Sequence, residues 1–152
     1  MPVLCFIILV AMEEEDASKN YIKTLLDRVD PACKIVSITI KNENEYTVEV
    51  KTKFADYESE CRNWIKKYSV ETRTDWIISN TYPNLKKLAF RKDFKCQHSR
   101  RNKSQDSVRL RNRNFNCQAT LVVKTRKITK DTRKKDLLLR EGFNTSITVS
   151  IL

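Results

Sequence analysis

A chain of 152 residues with 40% hydrophobic side chains is long enough to bury one core, and one Gly with three Pro excludes a linker-like or collagen-like sequence. The formal charge of +11 hides an asymmetry: residues 86–140 hold nineteen Lys and Arg against Asp93, Asp106, Asp131 and Asp136, a net +15, while the remainder holds eleven basic and fifteen acidic residues, a net −4. A single His, and no GxSxG, HExxH, P-loop or glycine-rich turn, leave the common catalytic constellations without their residues, so no enzyme is expected.

The first eleven residues, MPVLCFIILVA, are apolar and stop at MEEED. They are too few to span a bilayer as a helix. A buried N-terminal strand, a weak signal peptide and translated upstream sequence with a start at Met12 compete here, and the last is preferred because no basic n-region precedes the run. Residues 17–29 place Tyr21, Ile22, Leu25, Leu26 and Val29 on one helix face, and Asp30-Pro31 ends it. Residues 34–40 alternate, with Ile35, Ser37 and Thr39 on one side and Val36, Ile38 and Ile40 on the other. With the turn KNEN and residues 45–51 they predict a hairpin. A second helix is expected over 56–68. Tyr57, Cys61, Trp64, Ile65 and Tyr68 form its apolar stripe, Asp56 is its N-cap, and Cys61 reads as a small buried hydrophobe.

Strand character follows over 71–82, a turn at Pro83-Asn84, and a strand over 87–99. In that strand Leu88, Phe90, Lys92, Phe94, Cys96 and His98 share one parity. Residues 100–116 read as a basic loop, 117–127 as a third strand, and 125–142 as a second basic connector with a helical turn at DLLLRE ended by Gly142. Residues 144–152 read as a last strand with Ile147, Val149 and Ile151 on one face. The expected fold is α+β: a helix–hairpin–helix segment over 13–70, preceded by a leader at 1–12, then a four-stranded antiparallel module over 71–152.

Five cysteines without a CxxC pair suit a reducing compartment better than a disulfide framework. Asn102-Lys103-Ser104 and Asn144-Thr145-Ser146 would be glycan acceptors in a secreted chain, and are expected to be bare in an intracellular one. Cys96, His98 and Cys117 are the candidates for a metal site, since 96 and 98 point the same way on a strand and antiparallel pairing brings 117 beside 96. A buried cysteine and a surface histidine would account for the same spacing. A closed zinc site needs four ligands.

Trp64, TRTDWIISNTYP, KKLAFRKDFKCQHS and NFNCQATLVVK together resemble the FLYWCH and WRKY/GCM superfamily of zinc modules, in the form found in calcium-responsive transcription factor-like and MULE-transposase-associated proteins. The similarity spans roughly residues 56–152. It implies a small antiparallel sheet, with Cys96 and Cys117 as zinc ligands completed by a His-x-His after the last strand, which this sequence does not contain. His98 matches the His of the C-x-H, not a usual ligand. The resemblance thus implies a module cut short before half of its metal site.

The functional expectation is DNA binding in the nucleus, in a protein of transcription-factor or transposase ancestry, with Arg100, Arg101, Lys103, Arg109, Arg111 and Arg113 as phosphate contacts. Neither a small-molecule substrate nor a membrane partner is expected. The runner-up is a degenerate, metal-free fragment that acts as a protein-interaction module.

Overall fold

A computed structural model describes residues 3–42, 45–82, 85–97 and 117–151, the side chains of residues 3–13 excepted. The fold is α+β, and the described residues form, in chain order, α1 (Val3–Val29), β1 (Lys34–Asn42), β2 (Glu45–Thr52), α2 (Tyr57–Thr72), β3 (Trp76–Thr81), β4 (Leu88–Cys96), β5 (Thr120–Arg126), α3 (Lys130–Lys135), α4 (Leu137–Arg140) and β6 (Thr145–Ile151). The strands form one antiparallel sheet in the order β1-β2-β6-β5-β4-β3. The expectation of a four-stranded module with a separate N-terminal hairpin is therefore corrected. The hairpin β1–β2 joins the same sheet, because β6 pairs with β2 on one side and β5 on the other.

Helices α1 and α2 cover one face of the sheet. Ile22, Leu25, Leu26 and Val29 of α1 and Cys61, Trp64, Ile65 and Tyr68 of α2 are buried against Val48, Val50, Phe94, Leu121, Val123, Ile147 and Val149. Each fully buried large apolar side chain contributes about 1.5–3 kcal/mol of transfer free energy. Trp64 stacks on Tyr68 with ring centroids 5.2 Å apart, and Tyr68 meets Trp76 at 6.2 Å. The helix ends follow local chemistry. Asp56 caps α2 by accepting from Ser59 N, and Arg73 closes it with a left-handed φ of 52°. Gly142, at φ 97°, turns the chain out of α4 while the Phe143 N–H donates to Leu138 O at 2.9 Å.

Four boundaries or faces differ from the sequence reading. The apolar start is not a strand: residues 3–11 open α1, a helix of 27 residues. Among the described residues no helix is long and apolar enough to cross a membrane. Glu71 and Thr72 extend α2, so β3 begins only at Trp76. The strand expected from 117 begins at Thr120. A bulge between Ile35 and Ser37 shifts the phase of β1, so Ile35 shares the core side with Ile38 and Ile40 while Val36 is 47% exposed. The turn at Pro83-Asn84 lies outside the described residues.

One buried polar contact ties the N-terminal half to the last strand. Asn144, just before β6, accepts from Phe54 N at 2.9 Å and donates through Nδ2 to Phe54 O at 2.7 Å. The side-chain amide thereby does for Phe54 what a neighbouring strand would do. Thr145 donates to Asn144 Oδ1 at 3.1 Å and shares a 2.9 Å hydrogen bond with Thr125.

Candidate nucleic-acid interface

Alternation decides what the other face of the sheet carries. Val123 and Thr125 point into the core, so Thr120, Val122, Lys124 and Arg126 of β5 point away from α1 and α2. On β4, Phe94 and Cys96 are buried and Phe90 packs on the core, leaving Arg91, Asp93 and Lys95 on the uncovered face. β6 contributes Ser146, Thr148 and Ser150, and β2 contributes Thr47, Glu49 and Lys51. The register aligns these positions into rows. One row reads Arg91, Lys124, Ser146, Lys51 and Lys34 across five strands. The next reads Asp93, Val122, Thr148, Glu49 and Ser37.

The cations of the first row differ in their partners. Arg91 is clamped: Nε donates to Asp93 Oδ1 at 3.0 Å and Nη2 to Asp93 Oδ2 at 3.1 Å, while the guanidinium lies 4.5 Å from the centroid of the Tyr82 ring. Tyr82 Oη completes the group by donating to Asp93 at 3.3 Å. The hydrogen bond to Asp93 raises the Arg91 guanidinium further above its ordinary value. Lys34 pairs with Glu141 at 2.6 Å, and Lys51 approaches Asp136 at 3.7 Å. Lys124 has no carboxylate partner among the described residues.

A second basic group gathers at the end of the sheet where β4 begins and β5 finishes. Lys86, Lys87, Arg126, Lys127, Lys130, Arg133, Lys134 and Lys135 are all exposed there. Lys127 fastens the two connecting segments together, its N–H donating to Lys87 O at 3.2 Å and its Nζ to Leu85 O at 2.9 Å. Thr129 and Thr132 form a capping box that starts α3, which is why KDTRKK is helical although the sequence reading expected only the turn at DLLLRE. Asp136 holds this connector on the sheet. It accepts from Leu138 N and Leu139 N at 3.0 and 3.2 Å and from Arg126 Nη1 at 3.1 Å. Partial burial pushes the Asp136 carboxyl up, but the Leu139 and Leu138 amides, Lys51 and Arg126 outweigh it, and the net shift is downward.

The six arginines and lysines expected from sequence to meet phosphate, Arg100, Arg101, Lys103, Arg109, Arg111 and Arg113, lie outside the described residues, as do His98 and Asn102. Cys96 is buried and Cys117 is half-buried. The Cys96 N–H donates to Ala119 O at 3.2 Å, two residues from Cys117 in the chain. Two cysteines supply half of a tetrahedral zinc site. No group of three or more metal-binding side chains occurs among the described residues, so the residues described there do not by themselves fit a closed site. None of the four described cysteines is in a disulfide.

An open cleft of about 290 Å³ lies between the end of α1, the end of β2 and α2. Its acids serve the fold. Asp30 accepts from Thr52 Oγ1 at 2.5 Å, and Glu60 accepts from the backbone N–H groups of Ala55 and Asp56.

Comparison with protein-family models, with curated proteins and with solved structures gives no match for this chain.

The pair Arg91 and Lys124 was not singled out by sequence reasoning. Strand parity alone puts both on the polar side of their strands; what it omits is the register that sets one opposite the other.

Proposed function

We propose that this protein binds duplex DNA by neutralising backbone phosphates with its basic C-terminal half. The observation that carries the reading is the group of exposed cations at one end of the sheet, Lys86, Lys87 and the run from Arg126 to Lys135, in which Asp131 is the only exposed acid. Like charges this close destabilise a folded surface, and a polyanion relieves them. Such contacts position a protein on nucleic acid without reading its sequence. The nuclear setting and the transcription-factor or transposase ancestry rest on the resemblance of residues 56–152 alone.

A salt titration of the full chain against a short DNA duplex tests this. With about six phosphate contacts, affinity falls about a thousandfold between about 50 and 200 mM salt. Exchanging Lys130, Arg133, Lys134 and Lys135 for Gln flattens that slope. No binding, or binding indifferent to salt, refutes the reading.

A further inference from the structure

The uncovered face of the sheet has a place where two cations are set directly against each other. Arg91 and Lys124 are cross-strand partners on β4 and β5, on the side away from α1 and α2. Directly opposed side chains have Cβ atoms about 4.5–5.5 Å apart, and like charges there destabilise the sheet. Arg91 is only partly relieved, by Asp93 on its own strand. It is also held still: two hydrogen bonds from Nε and Nη2 to Asp93 and the ring of Tyr82 under the guanidinium fix its plane. These contacts use Nε and Nη2, and among the described residues Nη1 has no acceptor. Beyond Lys124, the row continues to Ser146, whose hydroxyl donates to Glu49 at 3.1 Å and so is spent inside the sheet.

A planar, immobilised guanidinium beside an ammonium suits a tetrahedral dianionic or monoanionic phosphate group. The Arg supplies directed donors and the Lys a mobile point charge. We propose that Arg91 and Lys124 form a phosphate clamp, and that the ligand it takes is the backbone of double-stranded DNA laid against the β4–β5 end of this face, the β1–β2 end being paired with Asp136 and Glu141 of the connector. This rests on the reading of the protein as a DNA binder and places part of the contact on the sheet, away from the connector. The choice of duplex over single strand follows from what the face lacks. Single-stranded nucleic acid is held by bases stacking on aromatic rings. Among the described residues, the register puts no aromatic side chain on this face of the six strands, and the ring of Tyr82 beside them is occupied by Arg91.

The test uses the full chain and three variants, Lys124→Gln, Arg91→Gln and, on the outer side of α2, Lys66→Gln. Each is titrated against a short duplex of mixed sequence and a single strand of the same length, across a range of salt, and each is unfolded in urea. Loss of one phosphate contact lowers the slope of log K on log salt by about 0.9 and weakens binding roughly eightfold at about 0.1 M salt. Lys124→Gln should show both changes while its urea midpoint stays level or rises, because the opposed charge is gone. Lys66→Gln should keep the parent slope, and the duplex should bind more tightly than the single strand. If the parent chain binds duplex but both sheet variants retain its slope, the clamp is wrong and the DNA reading survives. If the parent chain binds no DNA, both fall. Tighter binding of the single strand, or a lowered midpoint for Lys124→Gln, overturns the clamp as well.

Discussion

Replacing Asn144 with Ala should be among the costly single changes in this chain. The side chain is 8% exposed and satisfies both backbone groups of Phe54, itself 6% exposed, at 2.9 and 2.7 Å. Truncation leaves one N–H and one C=O in a site closed to water, at about 1–3 kcal/mol each, so the expected loss is about 2–6 kcal/mol. Urea unfolding followed by tryptophan fluorescence reads it directly, since Trp64 and Trp76 lie in the aromatic group of the core. Asn144→Asp adds a pH signature. The new carboxylate can accept from Phe54 N but cannot donate to Phe54 O, and burial raises its folded pKa above the unfolded value of about 3.9. A raised folded pKa gives stability that is fully present below the unfolded value and lost as pH rises through the folded one. The Asp variant should therefore approach the parent in acid and fall away from it towards neutral pH. A loss below about 1 kcal/mol for the Ala variant would mean that water reaches Phe54, and would refute the account. The same burial opposes a glycan on Asn144 in the folded protein, whatever compartment it occupies.

Asp136→Ala should release the basic connector, at a cost of about 0.5–2 kcal/mol for the lost helix cap. Because the Asp136 carboxyl is held below its ordinary value, its contribution is present above the unfolded carboxylate pKa of about 4 and lost as pH falls through the folded value. The stability gap between variant and parent should close in acid, and a gap that persists there would count against the cap and ion pairs as its source. Cys61 should resist alkylation. Burial pushes its thiol up to about 11, with Lys92 opposing the shift and Glu58 adding to it, so iodoacetamide at about pH 8 should modify it only after unfolding. Rapid native labelling of Cys61, identified by peptide mapping, would show that the α2 face opens.

Local features were legible in the sequence where one or two residues decide them. Asp56 as the cap of α2, Asp30-Pro31 at the end of α1, Gly142 after α4, and the alternation of Ile147, Val149 and Ile151 all follow from short-range chemistry. Features set by distant partners were not. The bulge that turns Ile35 inward is fixed by pairing with Val50, and α2 runs through Thr72 because its last turn closes on Arg73. The placement of β6 between β2 and β5 has no local mark, since β2 and β6 are separated by most of the chain. At the candidate interface, charge composition located the basic half, but the choice of residues inside 100–113 followed density of charge alone. The opposed pair Arg91 and Lys124 becomes visible only when the register of β4 and β5 is known.

The sheet order also sets when this protein can fold during its synthesis. Strands β1 and β2 emerge from the ribosome first and then β3, β4 and β5, yet the two groups have no strand-to-strand contact with each other until residues 145–151 arrive. Until then β2 and β5 each present an open hydrogen-bonding edge, the template on which chains misassociate. The final strand closes both edges at once with Ile147 and Val149, which are 0% and 1% exposed, and joins the halves across a long sequence separation whose closure entropy slows the step. A nascent chain that has made its first five strands therefore presents two half-sheets with open borders, which the seven residues of β6 close.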